Sequence, residues 1–282
     1  MSDPTQNGAS VQDPIQLRRI DEWVLPVTLN TAVHIGTGVE NEVTDAPVLT
    51  TADDRPLVPG SSLKGVFRSI SERLAHVLNL EIESCRLDDG GCTQTHKVEI
   101  RKLMEKNISD KERFHELLDS GWVCPTCQLY GSGVMASKIF FSDLVLDNAR
   151  THIRQGVVID RDTGAAAAGL KYDYEIAYAS TPPAIHVRME NATPTDHLLF
   201  GLALQYLYQG SMRLGGGTSR GLGEVRPYRA WGDQSGFRWR ETDLSTSDAA
   251  LRYFLKDQMT VDHTWDEWNE KMIQLVKEGN GK

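Results

Sequence analysis

The chain has 282 residues, of which 40% are hydrophobic and 24% charged, values of an ordinary globular protein that exclude disorder along its whole length. Its 30 Lys and Arg stand against 39 Asp and Glu, and the net charge of −9 argues against a uniformly basic nucleic-acid coat or a polybasic membrane binder. Any anionic partner must therefore meet a local basic surface.

No stretch approaches the roughly 18 apolar residues of a membrane span, and the polar start MSDPTQNGASVQDP has no signal-peptide core. The expectation is a cytoplasmic protein, whose four cysteines serve a metal before they form disulfides.

Residues 1–19 read as a flexible arm, polar and without apolar periodicity. Trp23, Leu25, Val27 and Leu29 then alternate with other residues and predict a strand, in which Pro26 implies an edge position or a bulge. Residues 36–60, rich in Gly, Asp, Thr and Pro, form a loop with a short hairpin. Leu63, Val66, Phe67, Ile70, Leu74 and Val77 recur every three or four positions, which predicts a helix capped by Ser61 or Ser62. Residues 80–128 hold every cysteine around a charged, weakly helical run and read as an insertion folded on a metal. A strand over Lys138–Leu146 follows, and 147–183 read as a hairpin whose tip is Gly164, Ala165–Ala168 and Gly169. Ala184–Asn191 predicts a strand, Asp196–Gln209 a buried helix apolar nearly all round, and Glu224–Ala230 a short strand. Beyond Trp231 the extension 232–282 turns polar, with a helix near Trp265–Lys277 in which Trp265 and Trp268 make a packing face. This order fits an α+β fold, a modified ferredoxin-like (RRM-like) βαββαβ domain over 20–231 that carries the zinc-binding insertion and the hairpin.

Four groups of residues carry chemistry. In Pro59-Gly60-Ser61-Ser62-Leu63-Lys64-Gly65 a turn opens into a helix, whose unpaired first amides suit a phosphate, with Lys64 and Arg68 adding charge; an ordinary capped helix is the alternative. Gly215-Gly216-Gly217-Thr218-Ser219-Arg220-Gly221-Leu222-Gly223 places five glycines in nine residues, which implies close approach of the backbone either to a nucleic-acid backbone, favoured by Arg213 and Arg220, or to a packed neighbour. Neither a Walker loop nor a strand-GxGxxG-helix pattern occurs. Cys85, Cys92, Cys124 and Cys127 are spaced C-x6-C, 31 residues, C-x2-C, and the second pair has the spacing of a tetrahedral zinc site; His96 can stand in for Cys85 or Cys92. Four protein ligands leave no open position, so such a zinc ion is structural. The fourth group is the loop with His34, Gly36, Gly38 and Asp45, where a carboxylate binds Mg²⁺, accepts a proton or caps a turn.

Together, His34-Ile35-Gly36-Thr37-Gly38, Asp45-Ala46-Pro47, the run Pro56 to Gly65 and the GGGTSRGLG loop resemble the RAMP superfamily of CRISPR proteins, and within it the repeated backbone subunit of type III interference complexes, over roughly residues 23–230. Val158 to Gly164, ahead of Lys171-Tyr172-Asp173-Tyr174-Glu175, resembles the family's thumb hairpin. The resemblance implies that copies of the chain polymerise along a CRISPR RNA beside other effector subunits, gripping its backbone through Ser61, Ser62, Lys64, Arg68, Arg213, Gly215, Gly216, Gly217 and Arg220, with Arg161 and Lys171 on the thumb. It further implies that complementary target RNA is cut at regular intervals where a thumb displaces a nucleotide, with Asp45 essential, Mg²⁺ or another divalent ion required, and no membrane partner. His34 is expected to shape the loop more than to act as a base. A non-cutting scaffold subunit and a CRISPR-RNA-processing nuclease remain the alternatives.

Overall fold

The computed structural model describes residues 16–77, 82, 84–85, 91–231, 236–255 and 261–279, so residues 1–15 of the expected arm lie outside the described residues. Its elements run in the order β1 (Arg19–Leu29), β2 (Leu57–Val58), α1 (Gly60–Val77), α2 (Gly91–Thr95), α3 (Lys97–Met104), α4 (Asp110–Asp119), α5 (Pro125–Tyr130), β3 (Ile139–Phe141), β4 (Leu144–Val145), β5 (Arg150–Ile159), β6 (Ala166–Tyr178), β7 (Ala184–Glu190), α6 (Pro194–Tyr208), β8 (Val225–Pro227), β9 (Arg238–Asp243), α7 (Ser247–Phe254), β10 (Asp262–His263) and α8 (Trp265–Gly279). Among the described residues no helix is long and apolar enough to cross a membrane.

The architecture is mixed α+β with antiparallel sheets. The main sheet has the order β10-β9-β1-β7-β3, and β8 also pairs with β1. One face is apolar because every second residue of the central strands is: Trp23, Leu25 and Val27 of β1 lie beside Ile185, Val187 and Met189 of β7, all buried. Helices α1, α6 and α8 cover that face with Leu63, Phe67, Phe200, Leu204, Trp268 and Met272. Trp265 and Trp268 are buried, as their spacing leads one to expect.

Pro26 departs from expectation, since it sits in an interior strand without a bulge. It lies opposite Ala184 of β7, and on its other side it falls between Val24, the last residue paired with β9, and Val27, the first paired with β8. No ladder partner faces the nitrogen that lacks a proton, and the Pro26 carbonyl accepts the Trp231 indole N–H at 2.7 Å.

The expected strand over 138–146 is two strands. The break at Ser142-Asp143 sends β3 to β7 and β4 to β2, and it delivers the Asp143 carboxylate to the Gly60 amide at 2.7 Å. Asp143, not Ser61 or Ser62, therefore satisfies the start of α1, and the two serines lie inside its first turn. Glycine is required at position 60, because a Cβ there would lie 2.1 Å from the Phe141 carbonyl oxygen. In the hairpin the turn is Asp160 to Ala165, which includes Gly164 and Ala165 of the expected tip, whereas Ala166–Ala168 and Gly169 belong to β6; the Asp160 carboxylate ties the turn to the amides of Asp162 and Thr163 at 2.9 Å each. The tail after Trp231, read as polar, contributes β9 to the main sheet and α8 to its cover.

Asp21 and His197 are buried where β1 meets α6. His197 Nε2 stands 3.4 Å from Asp21 Oδ2 without hydrogen-bond alignment, and Arg19 holds the same carboxylate through two bonds of 2.8 and 2.9 Å. Burial pushes the His197 pKa below its ordinary 6.5, against the pull of Asp21. Burial would raise Asp21, but His197 and Arg19 together leave its pKa lowered. The unfolded chain then binds a proton at His197 that the native state refuses, so stability falls as pH drops through about 6.5, and the Asp21 contribution is lost only in stronger acid. Thermal unfolding followed from about pH 7 to about pH 5 should show a falling Tm; a constant Tm across that interval would contradict a buried neutral His197.

Candidate functional site

Asp45 is held against the base of the hairpin by an exchange of carboxylate–amide bonds. The Asp45 N–H donates to Asp173 Oδ1 at 2.9 Å, and the Asp173 N–H donates to Asp45 Oδ2 at 2.9 Å. The Thr44 hydroxyl joins Asp173 Oδ1 at 2.6 Å. These bonds, the Thr44 hydroxyl first and the Asp45 amide second, hold the Asp173 pKa below its usual value. The strand-like contact continues as Glu175 N–H donates to the Ala46 carbonyl at 2.9 Å and Val48 N–H donates to Glu175 Oε2 at 3.0 Å. The loop after β1 thus occupies the free edge of β6, and Asp45 Oδ1 stands outside the exchange.

His34 supports this arrangement from behind. Its Nδ1 lies 2.6 Å from the Glu175 carbonyl, which only accepts, so Nδ1 donates the proton of that bond. The His34 carbonyl accepts the Gly216 N–H at 2.8 Å. A Cβ on Gly215, where φ is +81°, would lie 2.3 Å from that carbonyl oxygen, so the glycine loop is glycine-rich in part because it packs on His34.

A cleft of about 240 Å³ results, lined by His34, Asp45, Ala46, Tyr172, Asp173, Tyr174, Gly217, Arg220 and Leu222. It unites three of the residues expected to act on RNA, namely Asp45, Gly217 and Arg220. Arg220 Nη1 donates to the Tyr172 hydroxyl at 2.7 Å, and Tyr172 and Tyr174 stack with ring centroids 6.1 Å apart. Neither tyrosine nor Asp173 stands out by composition, although all three fall in the Lys171 to Glu175 run.

Other expected residues lie elsewhere. Ser61, Ser62 and Lys64 sit in the first turns of α1, and Arg161 and Lys171 are exposed on the hairpin. Two cations differ from expectation. Arg213 Nη1 donates to the carbonyls of Gly210 at 3.0 Å and Met212 at 2.9 Å. Arg68 is only 13% exposed, with its guanidinium directed to Glu72, Gly131 and Cys127.

Cys85, Cys92, Cys124 and Cys127 form a second centre. Their sulfurs all lie within 4.8 Å of one another, and none is in a disulfide. They close a core separate from that of the main sheet, made of Ile100, Leu103, Leu117, Val123 and Met135 from the helical insertion and its flanks. His96 is not one of the group; its ring lies 6.4 Å from that of Trp122. Four soft donors at this separation suit one tetrahedral ion. The free thiols cannot all ionise together: burial raises Cys92, the bond from Cys127 lowers Cys124, and that same bond raises Cys127. A divalent cation supplies the positive charge that lets four thiolates coexist.

A family model described as the RAMP superfamily matches residues 27–226, well over half of the chain, including the cleft, the hairpin and all four cysteines. No curated protein matches the chain.

The exchange between Asp45 and Asp173 predicts that Asp173→Ala releases the loop. Hydrogen exchange across residues 40–50 should accelerate markedly while that of β1 and β7 stays slow, and an unchanged loop would refute the exchange as its anchor.

Proposed function

The chain belongs to the RAMP superfamily, and from that premise we propose that it is a CRISPR-RNA-binding backbone subunit of a type III effector complex that cuts complementary target RNA at regular intervals. The observation that carries the reading is the cleft at Asp45, which joins a carboxylate, a cation and two stacked aromatic rings. Stacked aromatics and arginine receive splayed bases, and flipping a nucleotide bends the sugar-phosphate path. The 2′-oxygen then lines up with the adjacent phosphorus and the departing 5′-oxygen. Asp45 Oδ1 takes the hydroxyl proton as the bond to phosphorus forms, and the bond to the 5′-oxygen breaks as that oxygen takes a proton from water, giving a 2′,3′-cyclic phosphate and a 5′-hydroxyl. A divalent ion such as Mg²⁺, held by Asp45, would offset charge on the phosphate. Asp45→Ala should reduce cutting of complementary RNA in the assembled complex by about a hundredfold or more while leaving guide binding intact; undiminished cutting would sink the assignment.

The grip on the guide is assigned to Ser61, Ser62 and Lys64 at the opening of α1, to the glycine loop with Arg220, and to Arg161 and Lys171 on the hairpin, which acts as the thumb. The βαββαβ reading of residues 20–231 as ferredoxin-like is supported by the order β8-β1-β7-β3, with α1 after β1 and α6 after β7. The partners are CRISPR RNA, target RNA, further copies of the chain and other effector subunits, in the cytoplasm, with residues 232–282 a C-terminal extension. The cysteine cluster holds structural zinc, about one ion per chain.

One observation favours the non-cutting scaffold as a second reading. Asp45 Oδ2 already fastens its loop to Asp173, a sufficient structural reason for an aspartate at this position. Wild-type complex that binds guide and target normally yet never cuts would select the scaffold.

A further inference from the structure

Arg68 projects from α1 toward the cysteine cluster, and each of its three nitrogens has a partner. Nε donates to Glu72 Oε1 at 2.8 Å, Nη1 to the Gly131 carbonyl at 2.7 Å, and Nη2 to Cys127 Sγ at 3.3 Å. Gly131 ends α5, the helix that bears Cys127, and its own N–H donates to the Cys127 carbonyl at 3.0 Å. A single guanidinium therefore grips a cluster sulfur and the chain four residues beyond it, while Glu72, one turn along α1, fixes the plane of the fork.

Four thiolates around one divalent cation leave a net charge of −2 in a site where three of the cysteines are buried. Such a dianion needs compensation, and a charge-assisted hydrogen bond to a ligating sulfur supplies it at the shortest range available. Building on the reading of the cluster as a zinc site, we infer that Arg68 is a positioning residue of that metal centre rather than an RNA ligand. It orients Cys127, offsets the charge of the tetrathiolate, and fastens the cysteine insertion to α1, the helix whose opening faces the proposed guide. The metal centre and the RNA-gripping helix are thereby one mechanical unit.

The test uses the full chain, stripped of metal and reloaded either with Co²⁺, whose thiolate charge-transfer band reports on hydrogen bonds to sulfur, or with Zn²⁺ against a chromophoric chelator. In Arg68→Gln the charge-transfer band should move to longer wavelength, because a sulfur without its cationic donor gives up an electron more easily, and Zn²⁺ affinity should fall about tenfold or more. Arg68→Lys keeps the charge and should recover most of the affinity, and Glu72→Gln, which loosens the fork without touching sulfur, should shift the band to an intermediate position. Short-RNA affinity of Arg68→Lys should equal that of the wild type. Wild-type protein that takes up metal, beside an Arg68→Gln variant with unaltered band and affinity, overturns the role of Arg68 alone; wild-type protein that takes up neither ion overturns the metal reading and the inference with it.

Discussion

Strand β1 is the constraint on which the remaining geometry depends. It has neighbours on both sides, β7 on one and β9 followed by β8 on the other, so its register is fixed twice and a slip of one residue would turn Trp23, Leu25 and Val27 out of the core. The exit from β1 is fixed as well. Val33 exchanges both backbone bonds with Ala177 of β6, at 2.9 and 2.8 Å, twelve residues before Asp45. Beyond Val33 the chain doubles back, Gly36 bridging Val48, and so returns Asp45 and Ala46 to the same edge of β6 at Asp173 and Glu175.

Two cores serve two tasks. The larger, between the main sheet and α1, α6 and α8, sets the position of β1 and of the glycine loop that packs on His34. The smaller surrounds the cysteines and gathers short helices of 5 to 10 residues, which do not hold their shape in isolation. A bound metal is the expected remedy in such a unit. The seam between the cores runs along α1, whose buried side packs on α6 and whose Arg68 reaches the cysteines.

What was legible in the sequence follows from what is local. The first helix, α6 and the apolar faces of β1 and β7 were legible because burial imposes periods of 3.6 and 2 that survive without structural knowledge. Strand β9 was not, because only Trp239 of its residues is apolar while Arg238, Arg240, Glu241 and Asp243 are charged, so the segment reads as a solvated tail. The Ala run was assigned to the hairpin tip because alanine and glycine have poor strand propensity; Ala166 nevertheless pairs with Ile159 of β5, across a register shift from the regular ladder that begins at Val157 and Lys171. Asp45 was legible from its motif, but its anchor Asp173 lies 128 residues away and no local pattern joins them. Arg68 and Arg213 were assigned to RNA from their charge beside the helix opening and the glycine loop and from the family resemblance, and only the fold shows Glu72, Cys127 and the backbone carbonyls that engage them.

The proposed RNA site would reconcile the −9 chain with an anionic polymer. Its acidic excess is a property of the whole surface, while Asp45 and Arg220 meet at the junction of loop, hairpin and glycine turn. The claim at the centre of this account is that a target-strand 2′-hydroxyl, positioned in that cleft, is the attacking group. The most direct measurement places a single 2′-deoxynucleotide on the 5′ side of one cleavage position in an otherwise unmodified target. Cutting should disappear at that position alone, with target affinity and the neighbouring cuts preserved; cleavage that persists at the deoxy position would rule out attack by the 2′-hydroxyl.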